Sequence, residues 1–177
     1  MNAADTLAPP KPQPWRWWLR LLWVLLLLYL GLALLGYYNL RRTAHLQGLA
    51  DYYAQQHKVD RHLFRGLITQ ESAWDPLAVS SVGAAGLTQL MPATAKEVCH
   101  LTPLERFEPA KNLDCGARYL ALLLRRFGSV PLALAAYNAG PTRVAQLGRI
   151  PQIPETQAYV TRVMSHRESS VRETVLE

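Results

Sequence analysis

The stretch RHLFRGLITQESAWDP, residues 61–76, decides the fold. Asp60 stands before it as a plausible N-cap, and Leu63, Phe64, Leu67, Ile68 and Trp74 recur at helical spacing. The segment therefore reads as an amphipathic helix from Arg61 to about Trp74. It must stop there, because Pro76 disfavours helical backbone at the residue before it. One residue breaks the pattern. At about 100° per residue, Glu71 falls only about 20° from Phe64 on the helical wheel, on the apolar stripe and not opposite it. An inward carboxylate is costly when ionised, so burial raises its pKa and keeps it protonated near neutrality. That is how a general acid is made. The plain alternative is a glutamate near a helix end that reaches solvent or an arginine.

Downstream, the helical period persists. Gly83-Ala84-Ala85-Gly86 makes a small-residue turn. Pro92 suits the first turn of a short helix to about Cys99, and a longer helix from about Pro109 to Phe127 ends at Gly128. Pro131 opens a short apolar helix to Asn138, broken by Gly140-Pro141. A further short helix covers about Thr142–Leu147, and a last one runs from Glu155 to about Arg167. Strand-type alternation is limited to at most one tiny hairpin near residues 78–85. The fold class is all-α.

Upstream, Leu46, Leu49, Ala50 and Tyr53 share a helical face. Before them the composition changes. The chain is 50% hydrophobic, yet its mean hydropathy is only −0.03, because the apolar residues are concentrated. Leu21 to Leu40 carries no charge, and all but Gly31, Gly36 and Asn39 are hydrophobic. Twenty helical residues span about 30 Å, the thickness of a bilayer core. Trp15, Trp17 and Trp18 at one end and Tyr37 and Tyr38 at the other suit interfacial aromatic belts. A cleaved signal peptide fits less well, since Gly-Tyr-Tyr-Asn is a poor cleavage site. The reading is a single transmembrane helix ahead of one small domain. Residues 1–14 are rich in Pro and Ala without periodicity and are expected to be disordered.

The net charge of +6 is uneven. Much of it flanks the apolar segment (Lys11, Arg16, Arg20, Arg41 and Arg42 against Asp5), and the remaining basic residues form no runs. Nucleic-acid binding needs a basic stripe or a reading motif, and neither is present. The histidines are scattered and no Cys/His cluster has metal spacing, so no metal or other cofactor is expected. Cys99 and Cys115 leave two readings open, a disulfide in an oxidising compartment or two small buried hydrophobes.

ESAWDP (71–76), VSSVGAAGLTQLMPATA (79–95), NLDCGARYL (112–120), LALAAYNAGP (132–141) and IPETQAYV (153–160) together resemble the soluble-lytic-transglycosylase-type (SLT) catalytic domain. Five separated blocks in the family's order cover nearly all of residues 43–165. The resemblance implies an α-helical, lysozyme-like fold and the following division: a disordered cytoplasmic N-terminus (1–14), a transmembrane anchor with flanks (15–42), the catalytic domain (43–165) and a polar C-terminal tail (166–177). It also implies Glu71 as the catalytic acid/base. Ser80, Gln89 and Met91 would lie along the glycan groove, Tyr137 and Asn138 near the sugar and the carboxylate, and Tyr159 close to Glu71. Thr88 stands where the family often has Met, a mild departure.

Most glycosidases use two carboxylates. Here Asp75, next to Pro76, is better read as a turn former than as the partner of Glu71. The family instead implies a substrate-assisted, non-hydrolytic cleavage of the β-1,4 bond between N-acetylmuramic acid and N-acetylglucosamine, leaving a 1,6-anhydromuramoyl end. The implied partners are peptidoglycan strands and, through the anchor, inner-membrane lipid, with an envelope-spanning assembly as a further partner and no nucleic acid. The implied location is the bacterial inner membrane, single-pass, with the domain in the periplasm. Hydrolytic muramidase and a catalytically silent peptidoglycan-binding module are the competing readings, the latter opposed by the presence of Glu71.

Overall fold

A computed structural model describes residues 15–176; the segment 1–14, expected above to be disordered, lies outside the described residues. The chain divides into two units between Arg42 and Thr43. Helix α1, Trp15–Gln56, supplies the described part of the first. Within it an 18-residue window reaches a mean hydropathy of 2.2 with none of it buried, so by length and composition the helix can cross a membrane.

The second unit is helical, as the periodicity requires. Its elements are the C-terminal part of α1, then α2 (Arg61–Ser72), α3 (Pro92–Cys99), a single 3₁₀ turn (Glu105–Phe107), α4 (Pro109–Phe127), α5 (Val130–Ala139), α6 (Pro141–Leu147) and α7 (Pro154–Leu176). Among the described residues, extended pairing is limited to isolated bridges, Val79 with Ala85 and Ala85 with Leu90.

Local chemistry explains the boundaries. Asp60 Oδ1 accepts from Leu63 N at 2.8 Å, capping α2. Pro92, Pro109 and Pro141 open their helices, where a missing N–H costs nothing. Helix α2 ends two residues earlier than the stripe suggests, because Ala73 and Trp74 turn left-handed, at φ 48° and 68°. Helix α7 continues past Arg167 to Leu176, so residues read above as a polar tail prolong it. No Gly or Pro follows Pro154 to stop it, and Arg167 Nη2 to Asp60 Oδ2 (2.9 Å) and His62 Nδ1 to Ser170 Oγ (3.0 Å) tie the extension to α2.

The core centres on α5, whose Ala133, Leu134, Ala135 and Ala136 are all buried, with α2, α4 and α7 packed around it. Helices α2 and α7 cross closely at Gly66. A Cβ there would lie 2.9 Å from Val163 O and 3.0 Å from Arg167 N, closer than van der Waals contact allows. A smaller cluster of Leu90, Ala95 and Cys115 sits between α3, α4 and the segment before α3. There Cys99 and Cys115 are joined by a disulfide, with Cα atoms 5.8 Å apart.

Candidate active site

Glu71 lies in the last turn of α2, half-buried, with Leu67 and Ile68 fully buried beside it. The tight α2–α7 crossing brings Tyr159 of α7 alongside, and its hydroxyl donates to Glu71 Oε1 at 2.6 Å. Two opposing effects set the acidity. Burial raises the Glu71 pKa and outweighs the Tyr159 hydrogen bond, which favours the carboxylate and lowers it; together they carry it from 4.5 to about 7. Burial also raises Tyr159 and Tyr137 well above 10, so both remain phenols and hydrogen-bond donors. The side chain is thus poised between acid and base near neutrality.

The wall facing this seat is the irregular segment 78–91. Buried irregular backbone needs partners for its carbonyls. Here side chains from outside supply them. Ser72 Oγ donates to Leu87 O (2.8 Å), and Tyr137 Oη to Thr88 O (2.8 Å). Asn112 Nδ2 donates to Ala85 O (3.1 Å), while its Oδ1 accepts from Thr88 N (2.9 Å) and Thr88 Oγ1 (2.8 Å). Arg106 Nη1 donates to Gly83 O (2.8 Å) and Leu90 O (2.9 Å). At Gly86, φ is +79°, and an added Cβ would collide with Arg106 O and Asn112 Nδ2. Glycine is required there both by backbone angle and by space. Ala73, Trp74 and Gln89 also hold positive φ beside the cleft, in a region that non-glycine residues seldom adopt. Trp74 Nε1 to Thr69 Oγ1 (3.0 Å) helps hold the turn after Glu71.

Between seat and wall lies an open cleft of about 230 Å³. Glu71 forms part of its lining. The wall contributes Ser80, Gln89 and Met91, with Val82 and Ala84 between them, and α5 contributes Tyr137 and Asn138. Tyr159 stands behind the acid, buried, and is not part of the lining. The side chains differ in what they have to offer. Gln89 Nε2 is occupied by Ala78 O (3.0 Å) and Gly86 O (2.9 Å), leaving its carbonyl oxygen for a ligand. Asn138 Oδ1 accepts from Thr156 Oγ1 at 2.9 Å. The Tyr137 hydroxyl is bound to Thr88 O and not to Glu71. Asp75 Oδ1 accepts from Leu77 N at 3.1 Å, a turn contact, and lies outside the lining.

Three features escaped the sequence reading. Glu155, at the start of α7, brings a second carboxylate to the rim. Asn112 and Arg106 hold the wall from behind. Asn112 falls within a quoted block, but nothing in helical periodicity marks a buried Asn as a partner for a segment 24 residues away. Among the described residues no group of three or more His, Cys, Asp or Glu is placed to hold a metal.

Residues 48–160 match the family model of the transglycosylase SLT domain. The soluble lytic murein transglycosylase of Salmonella typhimurium is 33% identical over 135 residues, covering 64% of this chain and 21% of the relative. The membrane-bound lytic murein transglycosylase F of Desulfosudis oleivorans is 35% identical over 106 residues, covering 56% and 23%. Lytic transglycosylase Slt of Pseudomonas aeruginosa, solved as an inactive Glu-to-Gln mutant, superposes with a TM-score of 0.63 at 32% identity over 68% of this chain and 23% of that one. The chain thus spans under a quarter of the length of these relatives.

Proposed function

The chain belongs to the transglycosylase SLT family, and from that membership we propose that it is a lytic murein transglycosylase with Glu71 as its single acid/base. The observation that carries the proposal is a half-buried carboxyl with a pKa raised to about 7, hydrogen-bonded to a buried phenol and open to a cleft. Protonated Glu71 donates its proton to the oxygen of the β-1,4 bond between N-acetylmuramic acid and N-acetylglucosamine, and the C1–O4 bond breaks. The muramoyl 2-acetamido oxygen bonds to C1 and carries the positive charge. Glu71, now a carboxylate, takes the proton of the muramoyl 6-hydroxyl. O6 then bonds to C1 as the acetamido oxygen leaves. The proton is back on Glu71, no water is consumed, and the product is a 1,6-anhydro ring.

Tyr159 orients the carboxyl and steadies it when ionised. Ser80, the Gln89 carbonyl, Met91, Tyr137 and the Asn138 amide hold the sugars. The relative solved as an inactive Glu-to-Gln mutant supports a glutamate of this kind as the essential group. The apolar helix α1, the disulfide and the membrane-bound relative support a single-pass inner-membrane anchor with the domain in the periplasm, where cystines persist and murein lies.

Glu155 gives one observation to the hydrolytic alternative, because a second rim carboxylate is what a two-carboxylate muramidase needs. Digestion of purified sacculi by the detergent-solubilised chain decides between them. Anhydromuropeptides, one water lighter than reducing-end products, are expected. Reducing ends only would establish hydrolysis, and an absence of products would overturn both readings.

A further inference from the structure

The turn formed by residues 80–84 carries Ser80, Val82 and Ala84 into the cleft, yet it is nearly self-contained. Ser80 N donates to Ala84 O (3.0 Å), Gly83 N to Ser80 O (3.0 Å) and Ala84 N to Ser80 Oγ (3.0 Å). All three bonds are internal. Among the described residues, the one hydrogen bond joining this turn to anything outside is from Arg106 Nη1 to Gly83 O. The same nitrogen donates to Leu90 O, on the far limb of the wall and next to Met91. One guanidinium nitrogen, with two hydrogens, therefore spans both limbs.

Arg106 is itself firmly seated. It is 9% exposed and lies on the 3₁₀ turn, where Glu105 accepts from Thr102 N (2.8 Å), Thr102 Oγ1 (2.7 Å) and Lys111 Nζ (2.7 Å). Asn112 Nδ2 bonds the Arg106 carbonyl at 2.7 Å as well as Ala85 O. Among the described residues no carboxylate pairs with the guanidinium. A buried cation without a counter-charge is a costly way to supply two hydrogen bonds. What a shorter donor lacks is the reach to set one nitrogen against both carbonyls from the 3₁₀ turn.

We propose that Arg106 is a positioning residue for glycan binding, fixing the two limbs of the wall so that Ser80, Gln89 and Met91 meet the sugars together. The proposal rests on the glycan reading above. The side-chain hydrogen bonds of Arg106 go to Gly83 O and Leu90 O and not to Glu71 or Tyr159, which are held by α2 and α7. Its influence therefore falls on binding and leaves the acidity of Glu71 alone.

The test uses the full chain in detergent on soluble, uncrosslinked peptidoglycan strands, with Arg106→Gln and Arg106→Lys beside the wild type. Arg106→Gln is expected to raise KM about tenfold with kcat within about twofold and the pH limb of kcat unmoved. Arg106→Lys, which keeps the charge and a donor able to reach one carbonyl, is expected to raise KM about threefold. Hydrogen exchange at Ala84 and Leu90 is expected to quicken about tenfold in either variant, with α2 and α7 unchanged. A merely structural role would lower kcat through loss of active protein, leave KM alone and quicken exchange throughout the domain; that result would overturn the proposal. If Arg106→Gln does not fold, the lysine variant carries the same test. A wild type that cleaves no glycan overturns the functional reading and this one with it. An active wild type whose KM neither variant moves overturns the positioning role only.

Discussion

The two sides of the cleft are built by opposite means. The seat of Glu71 is regular helix, where α2 and α7 meet at Gly66 and side-chain bonds between the helices, Tyr159 to Glu71 and Arg162 to Gln70, join their functional ends. The wall is irregular backbone, held by side chains of Ser72, Arg106, Asn112 and Tyr137 that reach its carbonyls. The difference teaches a division of labour. Helix packing sets how far the acid is desolvated, and so its pKa, while side-chain bonds to the wall set the shape of what the acid faces. A change on one side should move acidity and turnover, and a change on the other should move binding.

The largest effect expected is that of Glu71→Gln, which keeps the shape and removes the proton. Turnover on murein should fall by about 10²–10⁴-fold or more, with glycan binding retained. The same variant should be more stable than the wild type at neutral pH. Burial raises the Glu71 pKa from 4.5 to about 7, so the unfolded chain ionises first as pH rises. Between those values the wild type loses stability, on the order of 3 kcal/mol in all by pH 8, and glutamine does not. Thermal unfolding of both proteins from pH 4 to pH 8 measures the divergence. Parallel curves would mean that Glu71 is solvated.

Next comes Tyr159→Phe. Without its hydroxyl, burial acts on Glu71 unopposed, so the pKa rises beyond about 7 and the alkaline limb of the turnover profile moves to higher pH. A carboxyl with a higher pKa gives up its proton less readily in the first half of the reaction and has lost the bond that orients it, so kcat should drop about tenfold with KM little changed. Gly66→Ala acts on the same side from a distance. Its methyl would meet Val163 O at 2.9 Å, pushing α7 and Tyr159 away from α2. Over-packing of this kind costs about 1–3 kcal/mol, and kcat should fall several-fold in step with Tyr159→Phe. If Gly66→Ala moved KM instead, the division between the two sides would fail.

This asymmetry also explains what the sequence could reveal. The seat was legible because period and exception are both visible in one short stretch: Leu63, Phe64, Leu67 and Ile68 define a face, and Glu71 intrudes on it. Prolines and glycines marked most helix ends for the same reason, being local. The wall was legible only as a small-residue turn. Its order comes from Asn112 and Arg106, which act across 24 and 23 residues and leave no periodic trace. Glu155 was missed because it is exposed at the start of α7 and nothing local places it beside Glu71. The end of α7 was misjudged because an uninterrupted polar segment can be helix or tail. Its contacts with His62 and Asp60 decide for helix.

The smallest effect is the most pointed, because one bond crosses the divide. Ser72 follows Glu71 in α2, and its hydroxyl donates to Leu87 O of the wall at 2.8 Å. Ser72→Ala removes that bond and leaves Leu87 O short of a partner, at a net cost of about 1 kcal/mol. If the two sides are set independently, the variant behaves as a wall mutant although its residue belongs to the seat. KM should rise about two- to threefold while the pH limb and kcat stay where they are. A shift of the pH limb would show that the wall also controls how deeply Glu71 is desolvated, and the cleft would then be a single mechanical unit joined through Ser72.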